Sequence, residues 1–552
     1  MKSLRGMGTP LSRLSLAKQY DNIIIGAGMG GLTCGAILAL SGESVLILEG
    51  HYAVGGYTHV FRKGSFEFNA GLHYDGQAGY PGHPMNSIFN WISDGQVRWQ
   101  SSTNMLERFY YGPAQEEYLV QSGLHSFVES LASRFPEERE AIQNYVQQVR
   151  KCENAMVPFF TEKMVPKWIG DLITPFTRPG FLKYARHTTH GFCSGLTQNE
   201  KLISVLGGPW HEFGVPPKVS SFAGHAMLRG NSIGGTFYPV GGTAGLALQI
   251  VPTIERCGGT VALSAKVKKI TIKDGAACGV ELENGTPIAA KRVISAVGVK
   301  GTFGRLVGEE YRAKLPFIDA LMKLNSTGSA SGVFLGLSAS AEELGLAAYP
   351  VTSYPSYDYE ESLREMRQSD LGAMKFPFIY MISQSARDPM WSQKHPGKST
   401  LLVASHDRID RYQKWADSTH ANRPAEYLEY KEKMKEFFLE KAYALYPRIR
   451  GQVEIADAFT PLTVKQYGNH PSGEIYGLAQ DPQRFEQRWL RPDTPIKNLY
   501  LSGVDVLASG VVAALLAGAT TAINILGPWR GRHLLTKMMP WHFHARSPDY
   551  YK

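Results

Sequence analysis

The chain has 552 residues and a formal net charge of +9, with 43% hydrophobic and 19% charged residues. That length exceeds what one hydrophobic core usually supports, so two connected domains are expected, and the lack of long polar runs excludes extended disorder. The five cysteines, Cys34, Cys152, Cys193, Cys257 and Cys278, are odd in number and without metal-ligand spacing, which points to reduced thiols and no metal centre.

Three segments carry the positive charge. Residues 1–20 hold Lys2, Arg5, Arg13 and Lys18 and no acid, 163–190 hold Lys163, Lys167, Arg178, Lys183 and Arg186 against Asp171, and 528–552 hold Arg530, Arg532, Lys537, Arg546 and Lys552 against Asp549. The last two also contain Trp168, Ile169, Phe176, Trp529, Leu534 and Trp541. That mixture suits the surface of an anionic membrane and not nucleic acid, because apolar groups can enter the headgroup boundary while Lys and Arg stay outside. A solvated basic face is the plainer alternative. Residues 1–17 read as a flexible basic leader, too poor in continuous apolar sequence for a secretory signal. A cytosol-facing, peripherally membrane-associated protein is expected, with a short organellar leader left open.

In chain order, the first element is a strand over 20–25, followed at once by Gly26-Ala27-Gly28-Met29-Gly30-Gly31 and a helix from Leu32 to residue 40. This is GxGxxG in a strand–turn–helix context. Gly26 permits the tight turn, Gly28 lets the backbone approach a pyrophosphate, and Gly31 lets helix pack on strand. The phosphates then face a helix N-terminus whose free N–H groups favour anions. A second strand, 44–48, ends in Glu49 and Gly50. An acid at that place accepts hydrogen bonds from ribose hydroxyls and repels a 2′-phosphate.

After Glu49 the sequence reaches Gly55-Gly56-Tyr57-Thr58, an ExxxxxGG continuation like that of FAD enzymes, where the loop runs beneath the isoalloxazine. A helix is expected over 244–256. Short strands are expected over 261–264, 267–272, 278–282 and 292–296, with hairpin turns at Asp274-Gly275 and Asn284-Gly285. Val267 is placed for backbone contact with the adenine. Near the C-terminus a strand runs through Gly503 into Asp505, and Gly510-Val511-Val512 opens an apolar helix whose N-terminus would face the flavin pyrimidine edge. The charge-free stretch 506–527 would be about 33 Å long as a helix, enough to span a bilayer, but its Gly, Ala, Ser and Thr content argues for a buried helix.

The chain resembles the retinol saturase and carotenoid isomerase branch of the phytoene-desaturase-type flavoproteins over 18–110, 205–300 and 455–527. The most specific stretches are Gly55-Gly56-Tyr57-Thr58-His59-Val60-Phe61, Phe66 through Gly71-Leu72-His73-Tyr74, Gly234 through Gly242, and Leu499 through Asp505. Leu72-His73-Tyr74 is more like the saturase than the desaturases. The resemblance implies FAD, an apolar polyene or acyl substrate, chemistry at a carbon–carbon double bond, and peripheral membrane association.

The expected architecture is α/β. A GR2-like Rossmann FAD-binding domain, discontinuous in sequence, takes 18–110, 235–305 and 485–527. An inserted α+β substrate domain takes 111–234 and 306–484 and has a membrane-facing segment at 163–190, and 528–552 form a basic aromatic tail. The expected reaction is saturation, of the retinol 13,14-reductase kind, of a retinoid, carotenoid or polyunsaturated acyl chain. Redox-neutral isomerisation, desaturation and a lipid-carrying flavoprotein without turnover are the alternatives, and amine oxidation is a rival on the same fold. His73, Tyr74, Tyr476 and His211 are the candidate proton donors, and Tyr238 joins His73 and Tyr74 as a candidate substrate contact. No second GxGxxG follows a strand, which leaves NAD(P)H only a transient role as reductant.

Overall fold

The computed structural model describes residues 8–470 and 472–538. Its first sheet has eight strands in the order Thr9–Pro10, Thr260–Leu263, Val45–Leu48, Gln19–Ile25, Pro287–Ser295, Ala276–Leu282 and Val267–Lys273, with Leu499–Leu501 pairing alongside Pro287–Ser295. The central pairs are parallel, and the 267–282 ribbon is antiparallel. Ile23, Ile24 and Val45 to Leu48 are almost fully buried, as continuous apolar strands covered on both faces must be. Pro287–Ser295 forks: its first half pairs with Ala276–Leu282 and its second with Leu499–Leu501. That fork joins the middle of the chain to its end.

The helix Met29–Leu40 lies buried against this sheet and against the last helix, Val511–Met538. The two helices approach closely because both present glycine: a Cβ on Gly518 would fall 2.4 Å from the Gly30 carbonyl oxygen. The last helix therefore begins at Val511, with 506–510 forming the loop before it, and breaks at Gly527, whose φ is 72°. It is a core element of the described fold: two thirds of its apolar window is buried.

The second sheet has seven strands in the order Val453–Phe459, Ser329–Leu337, Ser399–Asp407, Ile379–Ile382, Val351–Tyr354, Met105–Tyr111 and Glu116–Gln121. Helices including Arg139–Met164 and Phe222–Ile233 pack with it into an aromatic-rich core.

Four boundaries differ from the sequence reading. Residues 9–16 are not a loose leader: Thr9 and Pro10 pair with Ala262 and Leu263, and Leu11, Leu14 and Leu16 pack on the core, since an open sheet edge and exposed leucines satisfy each other. Residues 1–7 of that leader lie outside the described residues. Strand Met105–Tyr111 belongs to the substrate sheet and not to the FAD domain, because it pairs with Val351–Tyr354 and Glu116–Gln121. Residues 528–538 form a further helical segment beyond the break at Gly527, with Leu534 in the core and Arg530 paired with Glu43; 539–552 lie outside the described residues. Finally, Lys163 and Arg178 of the basic segment are buried, Lys163 donating to the Val506 carbonyl at 2.6 Å and Arg178 paired with Glu162. A basic residue in a sequence window need not be a surface charge.

Candidate functional site

The strand Gln19–Ile25 ends in Gly26, whose φ of +100° turns the chain into the first helix. A Cβ on Gly31 would lie 2.0 Å from the Gly26 carbonyl oxygen, so only glycine lets the helix start there. A Cβ on Gly28 would meet nothing within 4 Å, because Gly28 borders a cavity. Glu49 closes the same end: its carboxylate accepts 2.8 Å hydrogen bonds from the Ala27 and His51 N–H groups, while burial pushes its pKa up.

The loop Gly55-Gly56-Tyr57 folds over this turn. Gly55 donates to the Ala27 carbonyl at 2.8 Å, and a Cβ on Gly56 would sit 3.3 Å from the Gly28 Cα. Opposite lies Asp505, whose carboxylate accepts from the Val299 and Leu478 N–H groups, both at 2.8 Å. Ser509 donates to the Tyr476 carbonyl, and Gly510, with φ +107°, leads into the last helix, so its N-terminal N–H groups open toward the cavity. Gly26, Gly28, Gly30, Glu49, Gly50 and Val267 line the cavity at its dinucleotide end. Gly55, Gly56, Tyr57, Gly503, Asp505, Gly510, Val511 and Val512 line its middle. Four expected cofactor residues do not line it. Ala27 orients Glu49, Gly31 packs under the turn, Leu32 is a core side chain, and the Thr58 hydroxyl donates to Gly55. They shape the site without facing it.

The cavity holds about 1670 Å³, beyond the roughly 300–1,000 Å³ of a single-ligand pocket. It continues past the glycine turns into a chamber lined by Phe61, Phe160, Phe334, Phe378, Met227 and Leu402. A glycine turn with open space at Gly28, an acid at the second strand and a helix N-terminus fit a dinucleotide, and the remaining chamber fits an apolar chain.

His73, Tyr74, His211 and Tyr476 all line the cavity. The Tyr476 carbonyl accepts from Ser509 just before the last helix, and His73 and His211 flank the Tyr380 ring at 5.6 and 5.0 Å, so the four mark the junction of the two parts. Tyr238 does not: its hydroxyl accepts from Asn69 Nδ2 at 2.6 Å in a fully buried position, which makes it a core tyrosine. Burial, with the Arg387 charge, pushes the His73 pKa down to about 4, and burial takes His211 to about 3, so both imidazoles are neutral at pH 7. His211 Nδ1 is held by the Gly208 carbonyl and the Tyr354 hydroxyl.

The residue reading missed Glu212 and Arg387. Glu212 lines the cavity and accepts the hydroxyl proton of Tyr74, and burial, with the Glu107 charge, pushes its pKa up to about 8. The Arg387 guanidinium lies 4.8 Å from the centroid of the Tyr74 ring and donates to Thr236 Oγ1. The only sequence sign of Glu212 was its place next to His211; Arg387 lies in a segment without a recognisable motif.

Two family models match, an NAD(P)-binding Rossmann-like domain over 24–83 and flavin containing amine oxidoreductase over 213–526. An all-trans-retinol 13,14-reductase from Danio rerio is 33% identical over 94% of this chain and 87% of its own length. A chloroplastic prolycopene isomerase 1 from an Oncidium hybrid cultivar is 24% identical over 95% and 87%. Among solved structures, an oxidoreductase from Methanosarcina mazei superposes with a TM-score of 0.59 at 17% identity, covering 92% of this chain and 99% of that one, which is a likeness of fold. With its dinucleotide end built for FAD, the chain belongs to the flavin-containing amine oxidoreductases and, within them, to the all-trans-retinol 13,14-reductase group.

Proposed function

We propose that this FAD enzyme saturates one carbon–carbon double bond of an apolar polyene, with an all-trans retinoid the first substrate to test. The observation that carries the reading is continuity: a single cavity runs from the dinucleotide turn at Gly28 to the phenylalanine-lined chamber, with polar groups gathered at the junction. Bound FAD, once reduced, supplies hydride, and a conjugated chain accepts it because the developing charge delocalises. The chain's own part is to bind the polyene in the apolar chamber, exclude water and hold a proton at the junction. On this reading His73, Tyr74, His211 and Tyr476, which all line the cavity, contact the reacting segment.

The test is anaerobic. After photoreduction of the flavin, all-trans-retinol is added, and the expected result is flavin reoxidation with a product two hydrogens heavier. No reoxidation and no mass gain would overturn the reading. The relation to a prolycopene isomerase keeps a second reading, redox-neutral double-bond isomerisation, for which a moved double bond at unchanged mass is diagnostic. NAD(P)H is the first reductant to try for turnover.

The enzyme docks peripherally on a membrane through the helix Lys167–Thr177. Its Trp168, Leu172 and Phe176 are 72%, 70% and 86% exposed and share one face at four-residue spacing. The preceding helix, Arg139–Met164, lends Met156, Val157 and Phe160 to the cavity wall, so a membrane on that face would lie beside the chamber.

A further inference from the structure

We propose that Glu212, acting through the hydroxyl of Tyr74, is the proton source of the reaction. The proposal rests on the polyene-reduction reading and deepens it.

Among the cavity-lining groups at the junction, Glu212 and Tyr74 are joined by a direct hydrogen bond in which the tyrosine hydroxyl donates to the carboxyl group. Arg387 lies against the Tyr74 ring, and its Nε and Nη1 have no hydrogen-bond partner among the described residues. It therefore holds a positive charge beside the tyrosine without neutralising Glu212 through an ion pair. The other cation that acts on Glu212, Arg229, is committed to Glu107 at 2.7 Å. The alternative donors are poorer. His73 and His211 are neutral imidazoles, and the Tyr476 hydroxyl, pushed like that of Tyr74 above the ordinary tyrosine range by burial and by Glu212, lacks the hydrogen bond to Glu212 that Tyr74 makes.

Every element packed around Glu212 bears on its proton. Tyr74 faces it from the segment after Phe66–Asn69, Glu107 from Met105–Tyr111, and Tyr354 and Tyr380 from the neighbouring strands. Arg229 faces it from Phe222–Ile233, Arg387 from the loop after Ile379–Ile382, Tyr476 from the segment before the last helix, and His211 from next door. Burial and the Glu107 charge favour the protonated carboxyl, Arg229, Arg387 and the Tyr74 bond oppose, and the balance lies near pH 8.

The hydrogen bond seen between the two groups first turns round, so that the protonated carboxyl of Glu212 donates to the Tyr74 oxygen and the Tyr74 O–H is freed toward the alkene. One alkene carbon then receives a hydride from the reduced flavin, and the π electrons form a bond from its neighbour to the Tyr74 hydroxyl proton. The carboxyl proton of Glu212 moves to the phenolate oxygen at the same time. The alkene gains two hydrogens, the flavin loses two electrons, and Glu212 is left as a carboxylate that water reprotonates.

The experiment compares wild type, Glu212→Gln and Tyr74→Phe as FAD-loaded proteins in two ways. In anaerobic stopped flow, wild-type reoxidation by all-trans-retinol should slow as pH rises through about 8, and Glu212→Gln should be about 10²–10⁴-fold slower with that pH dependence gone. Tyr74→Phe should be slowed while keeping the titration. Equal rates, or an unchanged pH profile in Glu212→Gln, would overturn the proposal. Infrared difference spectra provide the second readout: a protonated carboxyl band at pH 7 that disappears near pH 8 and is missing in Glu212→Gln. Its absence from the wild type would also overturn the proposal. Should the wild type fail to reduce any polyene while the band is present, the polyene reading falls and the protonated Glu212 stands.

Discussion

Gly28 and Gly31 are three positions apart and meet opposite surroundings. A Cβ on Gly31 collides with the Gly26 carbonyl, whereas one on Gly28 enters open cavity on a backbone (φ −71°, ψ 174°) that alanine adopts freely. Gly28→Ala should therefore fold with an unchanged thermal midpoint of the apoprotein but purify with little FAD. Gly31→Ala should lose about 1–3 kcal/mol or more of stability as well. Flavin absorbance per chain and melting of the apoproteins separate the two, and equal melting of both variants would refute the packing argument. Glu212 makes a prediction of a different sign. A carboxyl with a folded pKa near 8, raised from 4.5, keeps its proton in the folded state while the unfolded chain ionises. Its contribution therefore falls as pH rises from about 4.5 to 8. Glu212→Gln should flatten that slope in melting curves taken across the window, and an identical slope would count against it. The glycine turns were legible because each carries a backbone demand visible in one-letter code. Glu212 and Arg387 were not, because what makes them notable is the company that distant strands bring them.

At the scale of the element, the helix Lys167–Thr177 shows why a basic aromatic segment could be located but not resolved. The sequence supplied both its cations and its aromatics, but only the fold separates them. Lys163 is buried among Arg178, Arg484 and Arg491, its pKa pushed well down by burial, and Lys167 and Arg186 are paired with Asp171 and Glu486. The apolar stripe Trp168, Leu172 and Phe176 is left to solvent. Membrane binding should accordingly depend more on the stripe than on the charges. Replacing all three by serine should lower liposome affinity at least tenfold, since burying each large side chain is worth about 1.5–3 kcal/mol, with the melting temperature unchanged. Lys163→Glu should instead destabilise the fold, because it places a carboxylate where a carbonyl accepts a hydrogen bond. Liposome sedimentation and thermal melting on both variants check the assignment. It fails if the serine variant sediments like wild type.

For the whole molecule, the central fact is that one cofactor domain is assembled from pieces hundreds of residues apart. The two ends of that domain were legible because each carries a strand–turn–helix signature, and the middle because of its Asp-Gly and Asn-Gly hairpins. The edge between domains was not, because Trp99–Thr103 and Met105–Tyr111 follow the FAD motif without a break, and their strand partners lie in later segments. Asp505 is where the assembly can be tested. Its two carboxylate oxygens tie the N–H groups of Val299 and Leu478, so that one side chain joins the sheet's fork, the segment carrying Tyr476 and the loop before the last helix. Arg484 reinforces the junction by donating to the Leu478 and Val504 carbonyls. Asp505→Ala leaves two buried N–H groups unpaired, at a cost of about 1–3 kcal/mol each. The apoprotein itself should melt at lower temperature, before any question of flavin affinity arises. Asp505→Asn, which keeps one acceptor oxygen, should fall between the two. If Asp505 only contacted the cofactor, apo Asp505→Ala would melt like apo wild type and differ only with FAD bound. A lowered apo midpoint with weaker FAD binding would show that this cavity-lining residue serves cofactor binding and also holds the discontinuous domain together.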